Sequence, residues 1–380
     1  MNAQTVAAVF GGLLVLVVLQ DAFEVLVLPQ TVNRRLRPAR VFYRTTWGLW
    51  TRAAHVWPAG KRRQGTLGIY GPLSLLLLFG FWAACLILGF ALLQWGFGSH
   101  LDLVRGVAGF GTDLYMSGTT FFTLGLGDVT PNSTSSRILT VIEAGTGFGF
   151  LALVIGYLPV LYQAFARREI NISLLDARAG SPPTAEELLG RHTDLHTLER
   201  LLLEWERWAA VLMESHLSHP TLAYYRSQHQ NQSWLAALTT ILDASAFGIA
   251  SFEGAAAVQA RLTFAMARHA VVDLAQVFRT RPRVQECDRL SPEALGRMRD
   301  HLTRSGIPFR ADAAADEKLA ELRKLYEPYV DALAAYFRFD IPAWSAKTPR
   351  ADNWRTSAWE KPVAGVAPWA ASDAHADQLD

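Results

Sequence analysis

The residues whose types and spacing point most directly to chemistry are Thr123-Leu124-Gly125-Leu126-Gly127-Asp128. Glycine reaches backbone conformations closed to other residues. Two glycines alternating with leucines let successive carbonyl oxygens turn the same way, towards one axis. Four such loops around that axis would stack rings of oxygens able to replace the hydration shell of a cation. The Thr123 hydroxyl would add a ring at the inner end. Just before the loop, Leu114 to Phe122 is uncharged and contains Thr119, Thr120, Phe121 and Phe122. It is long enough for a short helix, whose C-terminal partial negative charge would aim at the same axis. One chain supplies one loop, so a closed ring needs an oligomer, most simply a four-fold one.

The rest of the chain must hold this loop in place. Of its 380 residues 51% are apolar and 18% charged, against roughly 25% charged in a soluble domain. The average hides a split. The long apolar runs crowd into residues 1–165, whereas 166–350 have the make-up of a soluble helical protein. Cys85 and Cys287 offer no disulfide framework, and no internal repeat places two such loops in one chain.

Residues 1–28 make a first span of ordinary length for crossing hydrocarbon. No basic start or small-residue cleavage site marks them as a removed leader. Asp21 and Glu24 interrupt this span. Either they sit at its cytoplasmic end, snorkelling or capped, or they face other helices and pair with an arginine. Residues 29–65 mix Arg34, Arg35, Arg37, Arg40, Arg44, Arg52, Lys61, Arg62 and Arg63 with Trp47, Trp50 and Trp57. That mixture predicts a helix on the cytoplasmic interface, with anionic lipid headgroups rather than nucleic acid as its partner. The arginines lack the every-third spacing of a voltage sensor.

The next module, 66–166, begins with an uncharged outer helix over 67–97, with Pro72 near its start and Gln94 and Trp95 at its far interface. Leu114 to Phe122 is too short to span, so it is re-entrant and enclosed by protein. Asp113 is placed to cap its start. An inner helix follows over 137–165, with Glu143 as its only acid, and Gly145, Gly147, Gly149, Gly156 and Pro159 permit close packing or a kink. The positive-inside rule puts 29–64 and everything beyond 166 in the cytoplasm. The N-terminus is then outside, and the 114–128 loop enters from the outer side and returns to it.

The stretch Leu67 to Phe165 resembles the two-transmembrane pore module of bacterial potassium channels, whose usual filter reads Thr-Val-Gly-Tyr-Gly-Asp. The resemblance implies an all-α membrane protein: a pore domain with a re-entrant pore helix and filter, plus a cytoplasmic α-helical bundle. It implies a passive, potassium-selective channel in a bacterial inner membrane, formed by a homotetramer, with permeant K⁺ and no other metal or cofactor. By carry-over, the carbonyls of Thr123, Leu124, Gly125 and Leu126 coordinate K⁺ in a filter ending at Gly127. Asp128 holds its outer end by bonds to the pore helix, and Glu143 braces it from the inner helix. Gly145, Gly147 and Gly149 are hinge candidates for gating. Two departures stand out. Leu126 replaces the aromatic residue and lacks its hydroxyl, which leaves a weakly selective monovalent cation channel as an alternative. Phe122 stands where a small hydroxyl residue is common and reads as an aromatic packed on the inner helix. A non-conducting membrane sensor with a helical signalling domain is the reading from another class.

Residues 167–183 read as a linker, broken at Gly180-Ser181-Pro182-Pro183. Thr184 with Glu187 forms a capping box opening one long helix through Leu212. Further helices are expected at 221–250, at 252–279, from Ser291-Pro292, and over Leu319 to Phe337 with a kink at Pro328. The run from Ala236 to Phe252 is nearly apolar enough to span, but Asp243 and its length argue against it. Without a Gly-x-Gly-x-x-Gly unit, this 184–340 domain does not read as nucleotide-binding, and its ligand, if it has one, is unspecified. His192 and His196 sit four apart, with Glu199 needed as a third metal ligand and His216 and His219 beyond. They read as exposed or capping groups, with pH sensing as the alternative. No catalytic constellation stands out, so the chain does not read as an enzyme. Residues 341–380 read as a flexible tail.

Overall fold

The computed structural model describes residues 2–28, 37–58, 60–103, 109–192, 194–228, 231–283 and 288–345. Arg34, Arg35, Arg105, Cys287 and the tail from 346 onward lie outside the described residues. The chain is an all-α membrane protein that divides into two compact units, Met1–Ala164 with Ser218–Tyr225, and Phe165–Leu217 with Arg226–Asp380.

The first unit opens with α1, Ala3–Leu26, whose 24 residues reach about 36 Å at 1.5 Å per residue, enough to cross hydrocarbon. It lies along α3, Lys61–Gly96. Small residues set the spacing of that pair. A Cβ on Gly11 would sit 2.6 Å from the Gly89 carbonyl, and one on Gly96 would sit 2.6 Å from the Ala8 Cβ. In lipid, where apolar surface gains little by leaving the solvent, such close backbone contact is what holds helices together. The outer helix therefore starts six residues earlier than its hydropathy suggests. Its first turn is charged and belonged, by composition, to the basic segment.

Between them α2, Pro38–Ala54, is amphipathic, burying Ala39, Tyr43, Trp47, Thr51 and Ala54. Exposed on it are Val41 and Leu49 with Arg44 and Arg52. Arg37 at its N-cap contributes no side-chain cap. Asp21 of α1 does that work: its Oδ2 accepts from the Ala39 N–H at 2.8 Å and from Trp82 Nε1 at 3.0 Å. Free N–H groups and the helix dipole make this end a favourable seat for a carboxylate. Glu24 pairs with Arg37 at 3.3 Å. Both acids are buried, so they face neighbouring helices rather than snorkel. Trp50 Nε1 donates to the Thr66 carbonyl at 3.0 Å and ties α2 to α3.

After α3 come β1, Leu101–Leu103, then α4, Phe110–Phe121, then β2, Val129–Pro131, antiparallel to β1 with Leu103 opposite Val129. The inner helix α5, Thr134–Ala179, has 46 residues and runs through Pro159. It extends well past 165 because the next residues bury an apolar face and Arg168 in the second unit. The expected linker is thus helical up to residue 179.

The second unit contains, besides the end of α5, α6 (Ala185–Gly190), α7 (Leu195–Ser218), α8 (Trp234–Ser251), α9 (Gly254–Val277), α10 (Pro292–Arg304), α11 (Ala313–Lys324) and α12 (Glu327–Phe337). The helix expected from Thr184 to Leu212 is two. Thr184 caps α6 by accepting from the Glu187 N–H at 3.2 Å, and Asp194 restarts the chain as α7 by accepting from the Thr197 N–H at 2.7 Å. The last expected helix also breaks, at Leu325-Tyr326, and Pro328 opens α12 instead of kinking one helix. Ser291 caps α10.

α8 is long and apolar enough to cross a membrane, yet nearly every residue of it is buried inside the second unit. A helix apolar all round is equally at home in a protein core. Asp243 within it pairs with Arg289 at 2.6 Å and accepts from the Tyr326 hydroxyl. Arg289 reaches on to Glu327 at 3.1 Å. Arg168 is likewise buried, pairing with Glu169 at 2.8 Å, while Arg167 is exposed.

Candidate functional site

The backbone of the 123–127 loop alternates. Thr123, Gly125 and Gly127 have φ of 57°, 58° and 77°, and Leu124 and Leu126 between them stay out of the left-handed region. Alternation of this kind brings successive carbonyls to one side of the strand. Thr123 is the exception to glycine, at a cost of about 1–2 kcal/mol. It is held there by the end of α4, where Thr123 N–H donates to the Thr120 carbonyl at 3.0 Å and Leu124 N–H to the Thr119 carbonyl at 2.8 Å. The Thr119 hydroxyl is used within α4, on the Met116 carbonyl at 2.9 Å. Phe122 to Asp128 are exposed in the protomer.

α4 begins at Phe110, earlier than the expected 114, and Gly109 rather than Asp113 is its N-cap. Asp113 is in the first turn, fully buried, and accepts from the Ser99 hydroxyl at 2.7 Å.

Two devices fix the outer end of the loop. Tyr115 on α4 donates its hydroxyl to Asp128 Oδ2 at 2.9 Å. The β1–β2 pair then ties the residues just after Asp128 to those just after α3, reinforced by Asn132 Nδ2 donating to Asp102 at 3.0 Å. Neither Tyr115 nor the strand pair was legible beforehand. Three-residue strands leave no alternation to read, and nothing local to Tyr115 marks it as the partner of a residue 13 positions on.

Behind the loop, three helices meet at Ser117 of α4. Its hydroxyl contacts the Ile87 carbonyl of α3 at 2.7 Å and Glu143 Oε1 of α5. Glu143 is fully buried, and its Oε2 has no partner among the described residues. Ser117 carries one hydrogen for two acceptors, so this junction is short of a donor unless the carboxyl supplies one. Nearer the outer end, Gln94 of α3 clasps the start of α5. It accepts from the Ser136 hydroxyl at 2.8 Å and donates to Thr140 Oγ1 at 3.2 Å.

The glycines of α5 are not equivalent. A Cβ on Gly147 would lie 2.0 Å from the Phe121 carbonyl, while Gly145 and Gly149 have nothing within 4 Å. Gly147 is where α5 touches the end of α4. Phe121, not Phe122, is the aromatic packed on the inner helix: it is buried and meets Phe150 at 5.8 Å, whereas Phe122 is exposed.

The histidines do not converge. His192 lies between α6 and α7, buried, with Nδ1 2.7 Å from the Leu188 carbonyl. It is therefore not on one helix face with His196, which sits 3.7 Å from Glu199. Among the described residues no group of three His, Cys, Asp or Glu is placed to hold a metal ion.

Residues 76–163 match the family model described as an ion channel. That span takes in α4, the 123–128 loop and most of the spanning part of α5. The uncharacterized membrane protein YdjJ of Bacillus subtilis (strain 168) is 28% identical over 193 residues, 48% of this chain and 56% of that protein. The chain thus spans little more than half the length of that relative. No solved structure matches. The family match supports an ion-channel module over residues 76–163.

Proposed function

We propose that this chain forms a passive, potassium-selective channel in which four copies surround one pore. The observation that carries the proposal is the backbone alternation at Thr123, Gly125 and Gly127, directly after a helix whose carboxyl end points into the loop. Carbonyls of Thr123, Leu124, Gly125 and Leu126 would ring the axis and take the place of water around K⁺. The exposed Leu124, Leu126 and Phe122, and the exposed apolar side chains along α5 such as Ile142, Phe148 and Ile155, supply surfaces for neighbouring copies. Asp128, held by Tyr115, and Glu143, held by Ser117, support the loop from its outer end and from behind. Gly147 would act as a contact point, leaving Gly145 and Gly149 as the freer hinge positions.

The chain is proposed to sit in a bacterial inner membrane with its N-terminus outside and its helical domain in the cytoplasm. Arg44 and Arg52 on the exposed face of α2 would meet anionic headgroups. Leu126 favours a second reading. Without a hydroxyl at this position the loop has one bond fewer to hold its width, which suits a weakly selective monovalent cation channel.

The test is the reversal potential of purified protein in a planar bilayer under opposed K⁺ and Na⁺ gradients. Reversal near the K⁺ equilibrium potential supports the selective channel, and reversal near zero with unitary currents supports the second reading. Absence of current in bilayers and of K⁺ flux in vesicles alike would overturn both.

A further inference from the structure

From Phe165 on, α5 belongs to the second unit. Arg168 there is buried and has three kinds of neighbour. Its Nε and Nη2 donate to Glu169 Oε1 at 2.9 and 2.8 Å. Its guanidinium lies over the Phe165 ring, 5.0 Å from the centroid. Its Nη1 reaches Nε2 of His216 on α7 at 3.3 Å. The pair is closed in by two tryptophans. The Trp208 indole donates to the Arg168 carbonyl at 3.3 Å, and Trp234 of α8 meets the His216 ring at 5.4 Å. His216 itself is fully buried.

These contacts fix the state of the imidazole. A guanidinium only donates hydrogen bonds, so Nε2 must accept from Arg168. Nδ1 lies 2.8 Å from the Leu212 carbonyl, which only accepts, so Nδ1 carries the hydrogen. His216 is therefore held neutral. A second proton, on Nε2, would set one cationic N–H against another. The bond to Arg168 is then lost, and two positive charges face each other in an apolar surround. Compensation is thin. Glu169 of α5 is the acid beside them, and its Oε1 already serves Arg168 and, at 3.2 Å, the Ser227 hydroxyl. On α7, Ser215 lies 3.2 Å from Nδ1 and Glu214 is exposed. α8 presents an indole. Arg226 is engaged elsewhere, on the Phe337 and Arg338 carbonyls at 2.8 and 3.1 Å. His229 lies outside the described residues. His55 meets Arg63 in the same way, at 3.4 Å, but His55 is exposed and water and salt screen that pair. Burial sets Arg168 and His216 apart.

We propose that His216 is a proton-operated catch for the end of α5: neutral, it holds Arg168 and keeps α5 on α7, and protonated, it repels Arg168 and lets the last turns of α5 leave α7. The change falls in the acid range, since a free imidazole takes its proton at about pH 6.5. α5 is one helix that also carries Glu143 and Gly147, so the catch acts on the element that backs the 123–128 loop. The inference goes beyond the proposed function and does not depend on which cation the protein conducts.

The experiment uses the full chain in lipid nanodiscs. Hydrogen exchange, read by mass spectrometry over residues 165–175, is followed as the pH falls and corrected for the intrinsic effect of pH on exchange. In the parent, exchange there should rise about tenfold between about pH 7.5 and 5.5, as befits the loss of one charge-assisted hydrogen bond. In His216→Gln the amide oxygen takes the Arg168 bond and cannot titrate, so the rise should vanish. In Arg168→Gln a donor remains without its charge, so the ring protonates more readily and the rise should move to higher pH. The proposal is overturned if the parent shows no rise down to about pH 5, if His216→Gln keeps the rise, or if Arg168→Gln leaves its midpoint in place. Should His216→Gln not fold, the parent and Arg168→Gln still decide the matter. None of these readings uses ion flux, so their outcome is separate from that of the bilayer test.

Discussion

Truncating Glu143 to alanine should loosen the junction that backs the 123–128 loop. Two losses add. The contact between Ser117 and Glu143 joins α4 to α5 inside the apolar layer, and such interhelical bonds contribute about 0.6–1.7 kcal/mol. The carboxylate-bearing side chain is fully buried, so its removal leaves a hole whose cost, after partial collapse, is about 1–3 kcal/mol. The sum is about 2–5 kcal/mol, a factor of at least about 10 in the folded-to-unfolded ratio. Glu143→Gln should behave differently. The amide keeps the volume, carries no charge to bury, and supplies the N–H that the junction lacks: it donates to Ser117 Oγ and frees the serine proton for the Ile87 carbonyl. Its stability should stay within about 0.5–1 kcal/mol of the parent. Equilibrium unfolding in mixed micelles, followed by tryptophan fluorescence, reads both variants, and K⁺ flux from vesicles reads the loop. The reasoning is refuted if Glu143→Ala matches the parent within about 0.5 kcal/mol, or if Glu143→Gln is as damaging as Glu143→Ala. A double-mutant cycle with Ser117→Ala should return a coupling of about 0.5–2 kcal/mol.

The glycines of α5 offer a sharper contrast: Gly147→Ala must push α5 off the Phe121 carbonyl and should abolish flux, whereas Gly145→Ala, with open space around it, should retain it. Tyr115→Phe removes one bond to Asp128, worth about 0.5–1.5 kcal/mol; under the proposed function it should shift the K⁺/Na⁺ permeability ratio, measured in bilayers, without changing protein yield. Asp21→Ala strips α2 of the carboxylate that accepts from the Ala39 N–H and Trp82 of its acceptor, so unfolding in micelles should register a loss of about 1–3 kcal/mol. Burial holds the His192 imidazole below its ordinary pKa, so the unfolded chain binds the proton more readily. Its contribution to stability is complete above about pH 6.5 and shrinks as the pH falls towards the lower, folded value. His192→Asn keeps a donor for the Leu188 carbonyl and should flatten that acid limb in thermal melts between about pH 7 and 5.

Membrane character, helical class, the position of the loop and the chemistry that two alternating glycines permit are legible in the order of residues alone. These follow from local properties: run length, hydropathy, and the conformations a residue type can reach. The boundaries of α3 and α5 did not follow. Lys61 and Arg62 look interfacial, and residues 167–179 look like a connector, until helix continuity and tertiary burial override composition. Which groups support the loop emerges from the packing of distant segments. Tyr115 lies 13 residues from Asp128, Ser117 is 26 from Glu143 and Asp21 is 61 from Trp82, and no periodicity within one segment encodes such pairs. That packing also separates Gly147 from Gly145 and Gly149, because a glycine needed for close approach and one in open space are the same letter. The segment Ser218–Tyr225, which belongs to the first unit, shows the same limit. In the sequence, Pro220 reads as the break between two helices of a soluble domain, with His219 at the end of one and Thr221 at the start of the next. Their burial beside Tyr43 and Tyr157 depends on α2, α3 and α5 coming together from distant parts of the chain.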